Sequence, residues 1–277
     1  MPHIAFSTVA CPDWTLQQVA DAAARFEYDG VELRTFGTGS TSFACDPCLT
    51  SSAKIRRMFR DAGVVVSSLA TSICFDAPIR PRIIGRVFGD QEQAVSEARR
   101  AIDLAAQIEC PFVRVCGFEV PPGEKRRSTV RLIVERLAAI ADHAHRTGVR
   151  IAFENGGSFP TARDVVEIID PLHDPLIGLS WCVRTGVLAG EKPLPDAIAD
   201  RTLILRVRDW RDGQLTGDDA CQQAARALCD SGPTDSCVVF EWCRAWLQCE
   251  GDVDAVLKGA ANRLFNWTHC ELSPGAA

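Results

Sequence analysis

The sequence predicts an α/β fold, a single (β/α)8 TIM barrel that takes in residues 1–277 as one domain. Short apolar runs alternate with amphipathic stretches along the whole chain, the pattern of parallel strands joined by crossover helices. Eight such units can be read, the number that closes a parallel sheet on itself, and the length suits a barrel of about 250 residues. No GxGxxG or Walker pattern follows an early strand, as the competing doubly wound open sheet would want.

The strand candidates are 3–7, 30–34, 64–70, 112–116, 149–154, 176–182, 202–208 and 236–241. Helical patterns fall between them at 15–26, 50–62, 90–108, 126–147, 160–169, 193–200, 218–230 and 252–267. The first helix has Thr15 as its cap and Val19, Ala22, Ala23 and Phe26 at helical spacing. The stretch 126–147 puts Leu132, Ile133, Leu137, Ile140 and Ala141 on one face and Gly148 just past its end, a helix stop. Gly30 and Gly63 mark similar stops.

Hydrophobic residues make up 47% of the chain and charged ones 24%, enough for a large core. A net charge of −6 and a pI near 5.4 argue against a nucleic-acid partner. No apolar run reaches membrane-spanning length, and the start Met1-Pro-His-Ile-Ala-Phe lacks the basic and long apolar regions of a secretory signal. Thirteen scattered cysteines then suit a reducing cytoplasm with mostly free thiols. Cys45-Asp-Pro-Cys48 is a CxxC without a second CxxC to complete a zinc ribbon, so no redox or metal role is expected of it.

Chemistry concentrates at the ends of the strand candidates. Val149-Arg-Ile-Ala-Phe-Glu154 and Ser236-Cys-Val-Val-Phe-Glu241 each end a buried run on a carboxylate, which is costly unless a cation or substrate answers it. In a barrel the C-terminal strand ends converge on one mouth. Read in order they carry Glu32 and Arg34, Arg114 and Cys116, Glu154 and Asn155, Cys182, Arg206 and Arg208, and Glu241. The arginines, with Arg80 and Arg82 in the loop after the third strand, fit an anionic ligand. They fit equally well internal salt bridges to Glu32, Glu119, Glu154, Asp209 and Glu241. The segment 76–89 is long enough to act as a lid, and Trp181, Trp210, Trp242 and Trp246 adjoin the same strand ends.

Five segments together resemble the sugar phosphate isomerase/epimerase family of xylose-isomerase-like barrels. They are Asp29-Gly-Val-Glu-Leu-Arg34, Ile151-Ala-Phe-Glu-Asn155, Ile177-Gly-Leu-Ser-Trp-Cys182, Leu205-Arg-Val-Arg-Asp-Trp210 and Phe240-Glu-Trp242. The resemblance implies a divalent metal held by Glu on strand five, Asp on strand six, His on strand seven and Glu on strand eight. Glu154 and Glu241 match, whereas Cys182 stands at the Asp position and Arg206 at the His position. Arginine stays protonated and has no lone pair to give a metal. The expectation is therefore a site without metal or other cofactor, in which Arg206 supplies the positive charge. The alternative is Mn or Zn held by Glu154, Cys182 and Glu241. None of the five histidines is placed to replace the missing ligand.

The resemblance implies carbohydrate metabolism and proton transfer next to a carbonyl of a small polyhydroxylated substrate, an isomerase or epimerase activity, and the strand-end arginines suit an anionic one. Glu154 and Glu241 are the candidate acid and base, Arg206 the candidate electrophile, and Arg34, Arg114, Asn155, Cys182, Arg208 and Trp242 the candidate substrate contacts. A dehydratase or lyase would share the first step. A barrel that only binds ligand, or stabilises another subunit, is the reading from a different class. The expected partner is a small molecule, and a homo-oligomer is compatible with the sequence.

Overall fold

A computed structural model of the chain describes residues 1–37, 42–77, 91–208, 210–211, 214–215, 217–247 and 251–269. Eight parallel strands form a closed barrel: β1 (His3–Ser7), β2 (Gly30–Arg34), β3 (Val65–Cys74), β4 (Phe112–Cys116), β5 (Arg150–Glu154), β6 (Ile177–Cys182), β7 (Thr202–Arg208) and β8 (Cys237–Glu241). Each pairs with its neighbour in sequence, and β8 closes on β1 with Ala5 opposite Val239. The helices are α1 (Leu16–Arg25), α2 (Ser52–Asp61), α3 (Gln91–Gln107), α4 (Arg126–Thr147), α5 (Ala162–Ile169), α6 (Val183–Leu188), α7 (Asp196–Ala199), α8 (Asp218–Ser231) and α9 (Val253–Thr268). Among the described residues no helix is long and apolar enough to cross a membrane.

Local chemistry accounts for the helix ends. Thr15 accepts from the Gln18 backbone while the Gln18 side chain takes the Thr15 N–H, a reciprocal cap at the start of α1. Thr161 and Asp164 repeat the arrangement at α5. Gly148 ends α4 at φ 75°, a left-handed conformation that glycine adopts without Cβ strain.

Three details depart from the sequence pattern. β3 runs four residues past its apolar core, because a register shift lets Cys74 pair with Cys116 even though Thr71-Ser-Ile-Cys is not an apolar run. The helix expected at 193–200 is only the short α7, held back by Pro193 and Pro195, while α6 begins directly after β6. Gly186 in α6 lies against the Trp181 ring, where any Cβ would overlap it. Beyond β7, Trp210–Arg211 and Gln214–Leu215 form a small antiparallel ladder that alternation did not reveal.

Side chains alternate across the barrel wall. Val31, Leu33, Val113, Val115, Ile151, Phe153, Leu205, Val207, Val238 and Phe240 face outward into the core shared with the helices. The barrel interior begins with a smaller apolar cluster of Ala5, Phe112, Ala152, Leu203, Ile204, Cys237 and Val239. Beyond that cluster, toward the C-terminal side, the buried inward side chains include Glu32, Ser68, Arg114, Glu154, Ser180, Arg206 and Glu241, which form the floor of the mouth.

Candidate active site

The same alternation that sends Phe153 and Phe240 outward turns Glu154 and Glu241 inward, 1% and 5% exposed. On β7 the outward Val207 separates two inward arginines, Arg206 and Arg208. Arg114 projects inward from β4 between Val113 and Val115, and Glu32 from β2 between Val31 and Leu33. Register brings these ends together: Cys116 lies opposite Glu154, Cys182 opposite Arg206, and Arg208 opposite Glu241.

The result is one ion-pair network of three carboxylates and three guanidiniums. Arg206 is completely buried and addresses a different glutamate with each nitrogen. Its Nη1 lies 2.6 Å from Glu32 Oε2, its Nε 3.5 Å from Glu154 Oε2, and its Nη2 pairs with Glu241 Oε2. Arg208 bridges the other oxygens, Nη2 to Glu154 Oε1 at 2.9 Å and Nε to Glu241 Oε1 at 2.8 Å. Arg114 Nη1 reaches Glu154 Oε2 at 2.5 Å and its Nη2 donates to the Thr71 carbonyl at 2.8 Å. Ser68 Oγ donates to Glu32 Oε2 at 3.1 Å.

The charges hold one another ionised. Burial alone would raise the Glu154 carboxyl, but the guanidiniums of Arg114, Arg206 and Arg208 outweigh it and bring it to about 2. Burial likewise opposes ionisation of Glu32, and Arg206 reverses the effect, leaving that carboxyl below its ordinary value. Desolvation works against the Arg206 cation, yet Glu32 and Glu154 raise its pKa above the usual arginine value.

Glu154, Glu241 and Arg206, the candidate catalytic group, are thus in direct contact, with Arg114 and Arg208 joined to them. Glu32 is the member that the strand-end residues contained but no role singled out. Its signal was the alternation Gly30-Val-Glu32-Leu-Arg34, which turns Glu32 and Arg34 to the same side of β2. Arg34 stands apart from the network. It donates to the Thr71 carbonyl at 2.7 Å and to Ser72 Oγ at 2.8 Å, lies 5.6 Å from the Trp246 ring, and has no carboxylate partner among the described residues. Trp246 is half exposed and meets Phe36 and Phe43 beside it.

Other candidates face elsewhere. Asn155 spends its amide on the backbone, accepting from the Cys182 N–H at 2.6 Å and donating to the Pro160 carbonyl at 3.1 Å, which fastens β5 to β6. Cys182 is the exception: fully buried, it is the register partner of the inward Arg206 and faces the network. Trp242 and Trp181 belong to the outer core, and Trp181 donates its indole N–H to the Pro193 carbonyl. His143 and His145 pair with Asp103 and Asp174, and His269 stacks on Phe265. Cys45 and Cys48 are free thiols, the first buried in the core and the second exposed. Arg80, Arg82, Asp209, the Trp210 side chain and most of the expected lid at 76–89 lie outside the described residues.

A closed parallel barrel with a polar, charge-bearing mouth at its C-terminal strand ends belongs to the class of (β/α)8 proteins that place their chemistry there. Residues 20–233 match the xylose isomerase-like TIM barrel family, and the chain belongs to it. Three solved structures show how widely the fold is shared. An L-ribulose 3-epimerase superposes with a TM-score of 0.75 at 13% identity, over 97% of this chain and 95% of that one. The IolI protein with a bound zinc atom gives 0.72 at 15% identity, over 96% and 98%. D-allulose 3-epimerase from Methylomonas sp. gives 0.71 at 16% identity, over 96% and 98%. At such identities the likeness is one of fold. No curated protein matches the chain in sequence.

The family likeness raises the question of a divalent metal, and the donor chemistry does not fit one. Of the strand-end residues at the resemblance's ligand positions, only Glu154 and Glu241 are carboxylates, and guanidinium nitrogens contact both oxygens of each. Arg206 places a permanent cation between them, where a second cation would be repelled. Among the described residues no three His, Cys, Asp or Glu side chains converge as a metal-binding group.

Proposed function

We propose that the chain performs an isomerase- or epimerase-type proton transfer next to a carbonyl of a small polyhydroxylated anion, without a divalent metal. The observation that supports this most is the placing of Arg208. It is the one guanidinium of the network with appreciable exposure, 26%, and it holds the Oε1 atoms of Glu154 and Glu241 together. An anionic substrate drawn to Arg208 and to Arg34, which has no carboxylate partner among the described residues, would compete for that guanidinium. The two Oε1 atoms would then be free, one to accept the proton from the substrate carbon and the other to return it. Arg208 would hold the oxyanion of the enediolate. Arg206 has each nitrogen committed to a glutamate, so in this reading it fixes the carboxylates and does not touch substrate. Departure of a β-hydroxyl after the first step would make the same site a lyase.

A second reading rests on a different observation. With both of its oxygens held and its carboxyl at about 2, Glu154 is not an effective base in this arrangement. That suits a barrel that binds its anion without turning it over.

Chelator-treated protein, incubated in D2O with ketoses, aldoses and their phosphate or carboxylate derivatives, separates the two. Deuterium entering the substrate at the carbon next to the carbonyl, and lost in Glu241→Gln, supports proton transfer. Ligand-dependent thermal stabilisation without exchange supports the binding barrel. Exchange that requires added metal would refute the metal-free site.

A further inference from the structure

We infer that Cys74 and Cys116 form a dithiol modification site at the rim of the mouth, which a hydroperoxide converts to a disulfide. The two residues end neighbouring parallel strands and are register partners. Adjacent strands lie about 4.8 Å apart, inside the span of about 4.4–6.8 Å that a disulfide bridges. The sulfurs are already 3.1 Å apart, so rotation about the side chains closes most of the remaining ~1 Å. Cys116 Sγ also lies 3.2 Å from the Ile73 carbonyl, whereas Cys45, Cys110 and Cys229 have backbone carbonyls and no second sulfur as their hydrogen-bond partners.

The pair is also divided into the two roles that such chemistry needs. Cys74 is partly exposed, whereas Cys116 is 2% exposed. The hydrogen bond between the two sulfurs lowers the Cys74 pKa against the opposing effects of burial, Asp76 and Glu154. The same contact, together with burial, raises Cys116. An accessible thiolate beside a resolving thiol is the usual setting for reversible oxidation. The Cys74 thiolate attacks the terminal oxygen of the hydroperoxide and the O–O bond breaks, leaving a sulfenic acid on Cys74 and an alkoxide that takes a proton. The Cys116 sulfur then attacks the sulfenic sulfur and water leaves. Two thiols and one hydroperoxide give one disulfide, one alcohol (water, from hydrogen peroxide) and one water.

The bond would cross-link the part of β3 and β4 that carries the network. Thr71, three residues before Cys74, gives its carbonyl to both Arg34 and Arg114, and Cys116 lies opposite Glu154. Oxidation state and arginine placement at the mouth are therefore mechanically joined. This inference does not depend on which reading of the site holds.

The test uses the full chain, reduced, desalted and treated with about one equivalent of hydrogen peroxide. The expected result is loss of two hydrogens in intact mass, loss of two titratable thiols and a Cys74–Cys116 cross-linked peptide, all reversed by dithiothreitol. Cys74→Ser should abolish the link. Cys116→Ser should leave a sulfenic acid on Cys74 that dimedone traps. Should the buried Cys116→Ser fail to fold, the wild-type peptide map and the partly exposed Cys74→Ser decide alone. A map dominated by other pairs, or over-oxidation of Cys74 without the link, overturns the inference.

Discussion

Phe112 and Arg114 sit two residues apart on one strand and point into the same barrel, yet what keeps each of them there is different. Phe112 belongs to the apolar cluster with Ala5, Ala152, Leu203, Ile204, Cys237 and Val239. That layer is stabilised by transfer from water and by packing, which are non-directional and indifferent to pH. Two residues further along, Arg114 follows Phe112, Glu154 follows Ala152, Arg206 follows Ile204 and Glu241 follows Val239. Each of these charges costs several kcal/mol to desolvate, and only the complete set offsets that cost. The lower layer therefore tolerates change of shape within limits, whereas the upper layer is sensitive to change of charge. The first is a scaffold, and the second is an arrangement kept in spite of its energetic burden.

The contrast can be broken most drastically by restoring the ligand set that the resemblance implies. Cys182→Asp with Arg206→His removes the central cation and adds a carboxylate and an imidazole. Titration calorimetry should then show about one equivalent of Mn²⁺ bound, and none in the parent chain. If the parent already binds one equivalent through Glu154 and Glu241, the upper layer has been misread.

Next in size are two truncations expected to cost similar amounts for unlike reasons. Arg206→Ala leaves Glu32, Glu154 and Glu241 without their shared partner, a loss of about 3–5 kcal/mol. Phe112→Ala in the apolar layer costs about 3–5 kcal/mol through lost transfer and cavity formation. Urea unfolding at neutral and mildly acidic pH tells them apart. The arginine variant should recover part of its loss relative to wild type as the carboxylates protonate, and the phenylalanine variant should not. Parallel pH behaviour would remove the distinction between the layers.

Acid sensitivity comes third. The Glu154 carboxyl is depressed in the folded state from its ordinary 4.5 to about 2. Its contribution is thus complete above the unfolded value and disappears as the pH falls through the folded one. About 3 kcal/mol should be lost between roughly pH 5 and pH 2, and Glu154→Gln should flatten that part of the stability curve. Arg208→Ala follows, at about 1 kcal/mol, since the quarter-exposed Arg208 is partly screened by solvent. Its effect on anion binding should be larger than its effect on unfolding. Smallest of all is Cys48→Ser, an exposed change expected within about 0.5 kcal/mol in thermal unfolding.

Much of the scaffold could be read in advance, because its determinants are local. Apolar runs such as Val238-Val-Phe240 and caps such as Thr15 announce their elements without reference to the rest of the chain. β3 was read four residues short, since its last turn toward Cys74 is held by pairing with β4 and not by its own composition. At the mouth, the strand-end positions of Glu154, Glu241, Arg206, Arg208 and Arg114 could be listed from the sequence. Their division into partners could not. Whether the arginines wait for a ligand or form internal salt bridges was open, and the structure divides them: Arg114, Arg206 and Arg208 pair with glutamates, while Arg34 has no carboxylate partner among the described residues. Asn155 and Trp242 adjoin the site in sequence but face the backbone and the outer core, because one residue along a strand reverses the side of the wall.

By itself the sequence determined the alternation of strands and helices, the closure of eight strands into one barrel, and the set of charged residues delivered to its C-terminal end. Hydrophobic periodicity and capping act over a few residues, so they are written in the chain at that range. Only the tertiary structure decided that Glu32 is the 2.6 Å partner of Arg206, that one guanidinium serves three carboxylates, and that Cys74 meets Cys116. Those contacts join residues as much as 174 positions apart, and they depend on barrel register, a geometric quantity fixed only when all eight strands have paired.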